Sequence, residues 1–149
     1  MSLCHQIVEE ALTWVGTPWQ HRQCLKGPAG GVDCVRLVEG IAKAVGLLPL
    51  AWEPPIYSPE FHLHNNEEVL LAVLAELGCV PLPSDTRQPG DLLVCQYGRV
   101  SSHLAVLVAR DPDCLVHAAH NHRRVVHQGM SQALARRVRH VYRLPGVAS

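Results

Sequence analysis

The part of this sequence that could do chemistry is a cysteine at the first turn of a helix, with two histidines on apolar strands further along. Gly31-Val32-Asp33-Cys34 follows a loop rich in glycine (Gly27, Gly30, Gly31), and Asp33 stands where an N-cap belongs. Unpaired backbone N–H groups and the helix dipole favour a thiolate at such a position. The same N–H groups can donate to the oxyanion that forms when a carbonyl is attacked. A thiol nucleophile also needs a base within hydrogen-bond reach, itself oriented by a third group. His103 opens the apolar stretch 104–108, and His117 sits in Leu115-Val116-His117-Ala118 on the next strand. On spacing alone, the competing reading makes Cys34 a small buried hydrophobe and each histidine a satisfied core residue.

The elements that must position these residues divide the chain in two. The first half is predicted helical. Leu3, Ile7, Ala11 and Trp14 recur at helical spacing, and the pattern stops at Gly16-Thr17-Pro18. Cys34, Val38, Ile41 and Val45 share one face of a second helix closed by Gly46 and Pro49. Leu70, Val73, Leu74 and Leu77 mark a third helix ending at Gly78. Residues 91–96, 103–109, 114–119, 124–127 and 140–144 then read as short strands rich in Val or Leu. Helices first and strands afterwards predict an α+β domain with an antiparallel sheet. Between the second and third helices, Pro49, Pro54, Pro55 and Pro59 stiffen a loop that also holds Trp52, Tyr57 and Phe61. Such a loop is either a lid or packed surface.

Composition narrows the function classes. The chain has 149 residues, 48% hydrophobic and 17% charged, the balance of one globular domain spanning residues 1–149. Three Trp, three Tyr and one Phe are too few for a stacking platform on single-stranded nucleic acid. The formal net charge is zero, so no overall field draws the chain to nucleic acid or an anionic membrane. That zero hides an asymmetry: residues 1–109 carry six Lys+Arg against eleven Asp+Glu, residues 110–149 seven Arg against two Asp. The Arg-rich end (Arg123, Arg124, Arg136, Arg137, Arg139, Arg143) reads as a solvated face, or as a surface for anionic cell-wall polymer. No apolar run reaches the ~18 residues of a membrane span. Glu9 and Glu10 interrupt the N-terminal stretch, so no signal peptide is predicted and the protein is expected in the cytoplasm as synthesised. The six cysteines are accordingly expected to be reduced.

Several motifs in series carry a resemblance. Gly16-Thr17-Pro18-Trp19, Gly31-Val32-Asp33-Cys34-Val35-Arg36-Leu37-Val38, Pro89-Gly90-Asp91-Leu92-Leu93, His103-Leu104-Ala105-Val106-Leu107 and Val116-His117-Ala118 occur in the order seen in NlpC-type cell-wall cysteine peptidases. The chain resembles that family across roughly residues 11–118. Gln88-Pro89-Gly90-Asp91 and Pro55-Ile56-Tyr57-Ser58-Pro59 look most like its phage-tail-associated subgroup.

The resemblance implies a papain-like fold, with the nucleophile at a helix N-terminus packed on an antiparallel sheet. It implies Cys34 as nucleophile, His103 as general base and His117 as the group that orients His103. The implied reaction is hydrolysis of a peptide bond in peptidoglycan stem peptides or muropeptides through an acyl-enzyme. No cofactor or metal is implied, and phage tail proteins are the implied partners. Delivery as part of a virion, or after lysis, would bring such a protein to a wall. The alternative is a tail structural or binding component that keeps the fold with little or no activity. The order Cys, His, His follows the unpermuted branch of the family rather than its lipid-modifying relatives.

The sequence departs from the family pattern in places. Trp19 stands where a tyrosine near the oxyanion is usual, and Arg36 where a small glycine is usual. Arg36 would narrow the cleft or grip a substrate carboxylate. Asp33 and His21 fall beside the same cleft, with His21 a substrate contact or a loop-packing residue. The segment between the two histidines is longer than usual. An odd-length turn without bulges puts His117 on the face of His103, and an even one puts His120 there. Cys114, His117, His120 and His122 crowd together without a zinc spacing, and no metal is expected. Cys4, Cys79, Cys95 and Cys114 read as core, Cys24 as an exposed thiol near the cleft, and His62, His64 and His140 as surface residues.

Overall fold

The computed structural model describes residues 1–54 and 69–147. Pro55, Tyr57, Pro59, Phe61, His62 and His64 lie outside the described residues, as does most of the loop they were assigned to. Helix α1 (Leu3–Thr13) begins at Ser2, whose hydroxyl accepts from the His5 N–H at 3.2 Å, and it buries Ile7 and Ala11. Helix α2 (Cys34–Ala44) buries Val35, Leu37, Val38, Ile41 and Ala42 along one side. Its C-terminus closes in a Schellman motif: the Gly46 N–H donates to Lys43 O and the Leu47 N–H to Ala42 O, with Gly46 at φ +82°. Helix α3 (Val69–Glu76) ends the same way through Gly78 and Cys79, with Gly78 at φ +80°. Both glycines take a left-handed conformation that a side chain would strain.

Asp33 caps α2 and also anchors the loop before it. Its Oδ1 accepts the Arg36 N–H at 2.9 Å, and its Oδ2 accepts the Arg22 N–H at 2.7 Å. The residue is 4% exposed, so neither N–H has water as a ready substitute. Asp33→Ala is expected to cost about 2 kcal/mol in a urea melt, toward the upper end for an N-cap because two donors are orphaned. An unchanged midpoint would show that the loop finds other acceptors.

The strands are β1 (Cys24–Leu25), β2 (Gly31–Val32), β3 (Val80–Leu82), β4 (Leu92–Tyr97), β5 (Val100–Ala109), β6 (Cys114–Ala119), β7 (Arg124–Gly129) and β8 (Val138–Arg143). The first two form a small hairpin. The other six make one antiparallel sheet in the order β3-β8-β4-β5-β6-β7. Period-two alternation sorts side chains between its faces. Val94, Leu104, Val106 and Val116 pack with Ile7, Val38 and Ile41 of the helices. Leu93, Cys95, Ala105, Leu107 and Leu115 make a second, smaller core with Val141 and with Leu134 of the short helix α4 (Gln132–Ala135). The fold is α+β with helices against an antiparallel sheet, as expected; α4 and the strands β1, β2 and β3 are additional to the elements predicted.

A buried ion pair ties the last strand to the start of β4. Arg143 Nε and Nη2 donate to the two carboxylate oxygens of Asp91 at 2.8 and 2.9 Å. Asp91 is fully buried and Arg143 is 8% exposed. Arg143 therefore does not belong to the basic surface assigned to the Arg-rich end. The cause is its partner, a desolvated carboxylate that has to be neutralised in place.

Candidate active site

The sheet opens where α2 meets it. Strands β5 and β6 pair from Val106↔Val116 through Leu107↔Leu115 to Ala109↔Cys114, with a bulge between Leu107 and Ala109. Toward His103 on β5 and Ala118 on β6 that ladder stops, while β6 continues to pair with β7. Backbone donors on the inner edge of β5 are thereby released from the ladder. The N–H of Leu104 turns to the Cys34 sulfur, joined there by the N–H groups of Val35 and of Cys34 itself. The first turn of α2 thus reaches into the opened end of the sheet, next in the chain to His103.

The same register selects the partner of His103. With Val106 opposite Val116, His103 and His117 fall on one face, and His103 Nε2 lies 2.8 Å from His117 Nδ1. The four-residue turn 110–113 by itself would put His120 opposite His103; the bulge between Leu107 and Ala109 shifts the register by one residue, exchanges the faces and brings His117 there instead. His120 lies elsewhere. It begins the 3-10 turn His120–His122, is exposed, and sets its ring edge-on to Trp19 at 4.6 Å between centroids. Trp19 itself is fixed by its N–H to Arg123 O at 2.9 Å and by a bridge to Val32. The indole replaces the expected tyrosine as a packing group against His120 and the core around β2.

Two residues around the histidines were not singled out from the sequence. Gln128 on β7 places Oε1 3.0 Å from His117 Nε2. Tyr97 meets the His103 ring edge-on at 5.9 Å, and the Arg137 guanidinium lies 4.3 Å over the Tyr97 ring. Neither carries a local signal. A polar residue on an outer strand, or a tyrosine at a strand end, is ordinary until cross-strand register is known.

Electrostatics sets the resting state. Cys34 and His103 keep partial solvent exposure, yet protein atoms surround both. Burial, with Asp33 beside it, pushes the Cys34 thiol up to about 12, against the lowering effect of the three N–H groups. Burial and the neighbouring His117 bring His103 down to about 3. Burial also lowers His117, partly offset by its hydrogen bond to Gln128. The helix terminus alone predicts a lowered thiol pKa; desolvation outweighs it here. Burial thus disfavours a lone charge on either group and holds both neutral at rest.

The remaining candidates have structural partners. Arg36 Nη1 donates to Glu39 at 2.8 Å and to the exposed Glu53 at 3.2 Å, so its charge is already paired within the chain. His21 Nδ1 lies 3.6 Å from Asp33 Oδ2, against the loop that the aspartate anchors. Cys24 is half-buried, not exposed; its thiol donates to Arg36 O at 3.2 Å because the β1–β2 hairpin packs on α2. All six cysteines are free thiols. Among the described residues, no three His, Cys, Asp or Glu side chains converge as metal ligands would, and no helix is long and apolar enough to cross a membrane.

No protein-family model matches the chain, and no curated protein matches it in sequence. Solved structures do. The NlpC/p60 domain of the peptidoglycan hydrolase SagA is similar at a TM-score of 0.60 and 19% identity, over 93% of this chain and 96% of that one. The P60 domain of antigen MAP1204 from M. avium subspecies paratuberculosis is similar at a TM-score of 0.59 and 15% identity, over 95% of this chain and 93% of that one. The fold is that of NlpC/p60 papain-like domains.

Proposed function

We propose that this chain is a cysteine peptidase that hydrolyses a peptide bond in peptidoglycan stem peptides or muropeptides. The observation that carries the reading is a helix-terminal thiol set against the backbone of Leu104 at the opened end of the sheet, next in the chain to His103, whose ring is hydrogen-bonded to His117. Its fold neighbours include a domain of a peptidoglycan hydrolase, which supports the substrate class.

In the proposed mechanism His103 takes the Sγ proton of Cys34 as the sulfur attacks the carbonyl carbon. The N–H groups at the first turn of α2 receive the oxyanion. The tetrahedral intermediate collapses with the C–N bond breaking, and the imidazolium of His103 returns the proton to the departing amine. A thioester on Cys34 remains. Water, deprotonated by His103, adds to the thioester; the C–S bond breaks and the thiol recovers its proton. His117 holds the His103 ring in place throughout. Association with a phage tail rests on the motifs at residues 55–59 and 88–91 alone.

The test is mass spectrometry of defined stem peptides and whole peptidoglycan after incubation with wild type and with Cys34→Ala. A product formed only by wild type is the expected result and identifies the bond. If neither protein cleaves, yet Cys34 is alkylated faster than the other five thiols, the substrate class is wrong and the thiol chemistry stands. Silence in both assays favours a component that keeps the fold without activity.

A further inference from the structure

His117 sits between two partners, and that decides where protons lie. Its Nδ1 is 2.8 Å from His103 Nε2, and its Nε2 is 3.0 Å from Gln128 Oε1. A neutral imidazole has one N–H and one lone pair, so a row of two rings and an amide has two self-consistent arrangements. In the first, His117 Nε2–H donates to the amide oxygen of Gln128. His117 Nδ1 then accepts from His103 Nε2–H, and His103 Nδ1 keeps its lone pair. In the second, Gln128 turns its NH₂ to His117. The chain reverses, and His103 Nδ1 carries a proton. His117 occupies Nε2 of His103 in both cases, so Nδ1 is the nitrogen left to receive a thiol proton. Only the first arrangement leaves His103 a base.

We propose that Gln128 is a positioning residue for this site: its amide oxygen sets the tautomer of His117 and, through it, of His103. The register supports the role. Leu115 pairs with Gln128 and His117 with Val126 across β6 and β7, which places Gln128 on the face of His117, two residues along the strand from the position opposite it. His117 is 6% exposed, so water does not readily replace the amide as its partner. Gln128 itself is half-buried on an outer strand, where substitution leaves both hydrophobic cores intact. The inference rests on the reading of Cys34 and His103 as nucleophile and base, but its first test does not require turnover.

The test uses nitrogen-15-labelled histidine and long-range proton–nitrogen correlation spectra, which distinguish Nδ1–H from Nε2–H rings. In wild type, His103 and His117 are both expected as Nε2–H tautomers. Gln128→Leu removes the acceptor at similar size. It is expected to abolish the single tautomer at His117 and to slow alkylation of Cys34 by iodoacetamide about 10- to 100-fold, the scale on which outer positioning groups act. Gln128→Glu retains an acceptor oxygen and is expected to restore both readouts. Where a cleaved peptide has been found, the leucine variant should lower kcat with KM unchanged. A wild-type spectrum with the His103 proton on Nδ1 overturns the proposal, whether or not the leucine variant folds. So does a folded leucine variant with unaltered tautomers and alkylation. The expected tautomers without cleavage of any peptidoglycan fragment would refute the peptidase reading and leave the role of Gln128 standing.

Discussion

Alanine at Cys34 and alanine at His103 are each expected to lower kcat for peptide hydrolysis by about 10⁴-fold or more, and the double variant to fall no further. The non-additivity follows from the charge balance of the site. Burial holds the thiol neutral, up to about 12, and the imidazole neutral, down to about 3. In the proposed mechanism the proton passes from one to the other as the sulfur attacks, so removing either group removes the whole device. The pH dependence has the same origin. The neutral pair and the thiolate–imidazolium pair hold the same number of protons, so their ratio does not change with pH. Reactivity is lost when the pair gains a proton, below the ordinary histidine value because His103 is lowered, or loses one, above the ordinary thiol value because Cys34 is raised. Alkylation of Cys34 in wild type is therefore expected to be level from mildly acidic to mildly alkaline pH. In His103→Ala it should rise with pH as for a buried thiol without a base. A wild-type profile that rises steadily with pH would mean that His103 takes no proton from Cys34.

Asp91→Ala is expected to produce the largest loss of stability, about 3–5 kcal/mol, because it leaves the Arg143 guanidinium buried without its carboxylate. For a chain of this size that corresponds to a fall in Tm of roughly 10 °C or more. Asp91 also accepts the Gln88 N–H at 2.8 Å, so the turn entering β4 loses an anchor as well. Arg143→Met alone is expected to be similarly damaging, since it strands the carboxylate instead. The Asp91→Leu/Arg143→Met pair removes both charges and is expected to recover much of the loss. Equal and additive losses from the two single variants would show that the residues act separately. Asp91 of the Pro89-Gly90-Asp91 motif, met in the sequence beside the cysteine and histidine motifs, thus serves the fold.

Sequence by itself determined what nearest neighbours decide. The apolar period of 3.6 placed the three main helices, because each buries one stripe. A side chain that caps a helix does so within three residues, so Asp33 and Cys34 were legible at the start of α2. Short stretches rich in Val or Leu marked the five longer strands, with His103 and His117 on two of them. Tertiary structure alone decided which of these side chains meet. His117 rather than His120 faces His103 because the bulge at Leu107–Ala109 shifts by one residue the register that the four-residue turn would set. The parting of β5 from β6 turns the Leu104 N–H to the Cys34 sulfur, and the β6–β7 register brings Gln128 to His117. The occupation of Arg36 by Glu39 and Glu53, the shelter of Cys24 and the burial of Arg143 on Asp91 belong with these. Strand register and bulges depend on contacts far apart in the chain, and a shift of one residue reverses every face, so no local pattern encodes them.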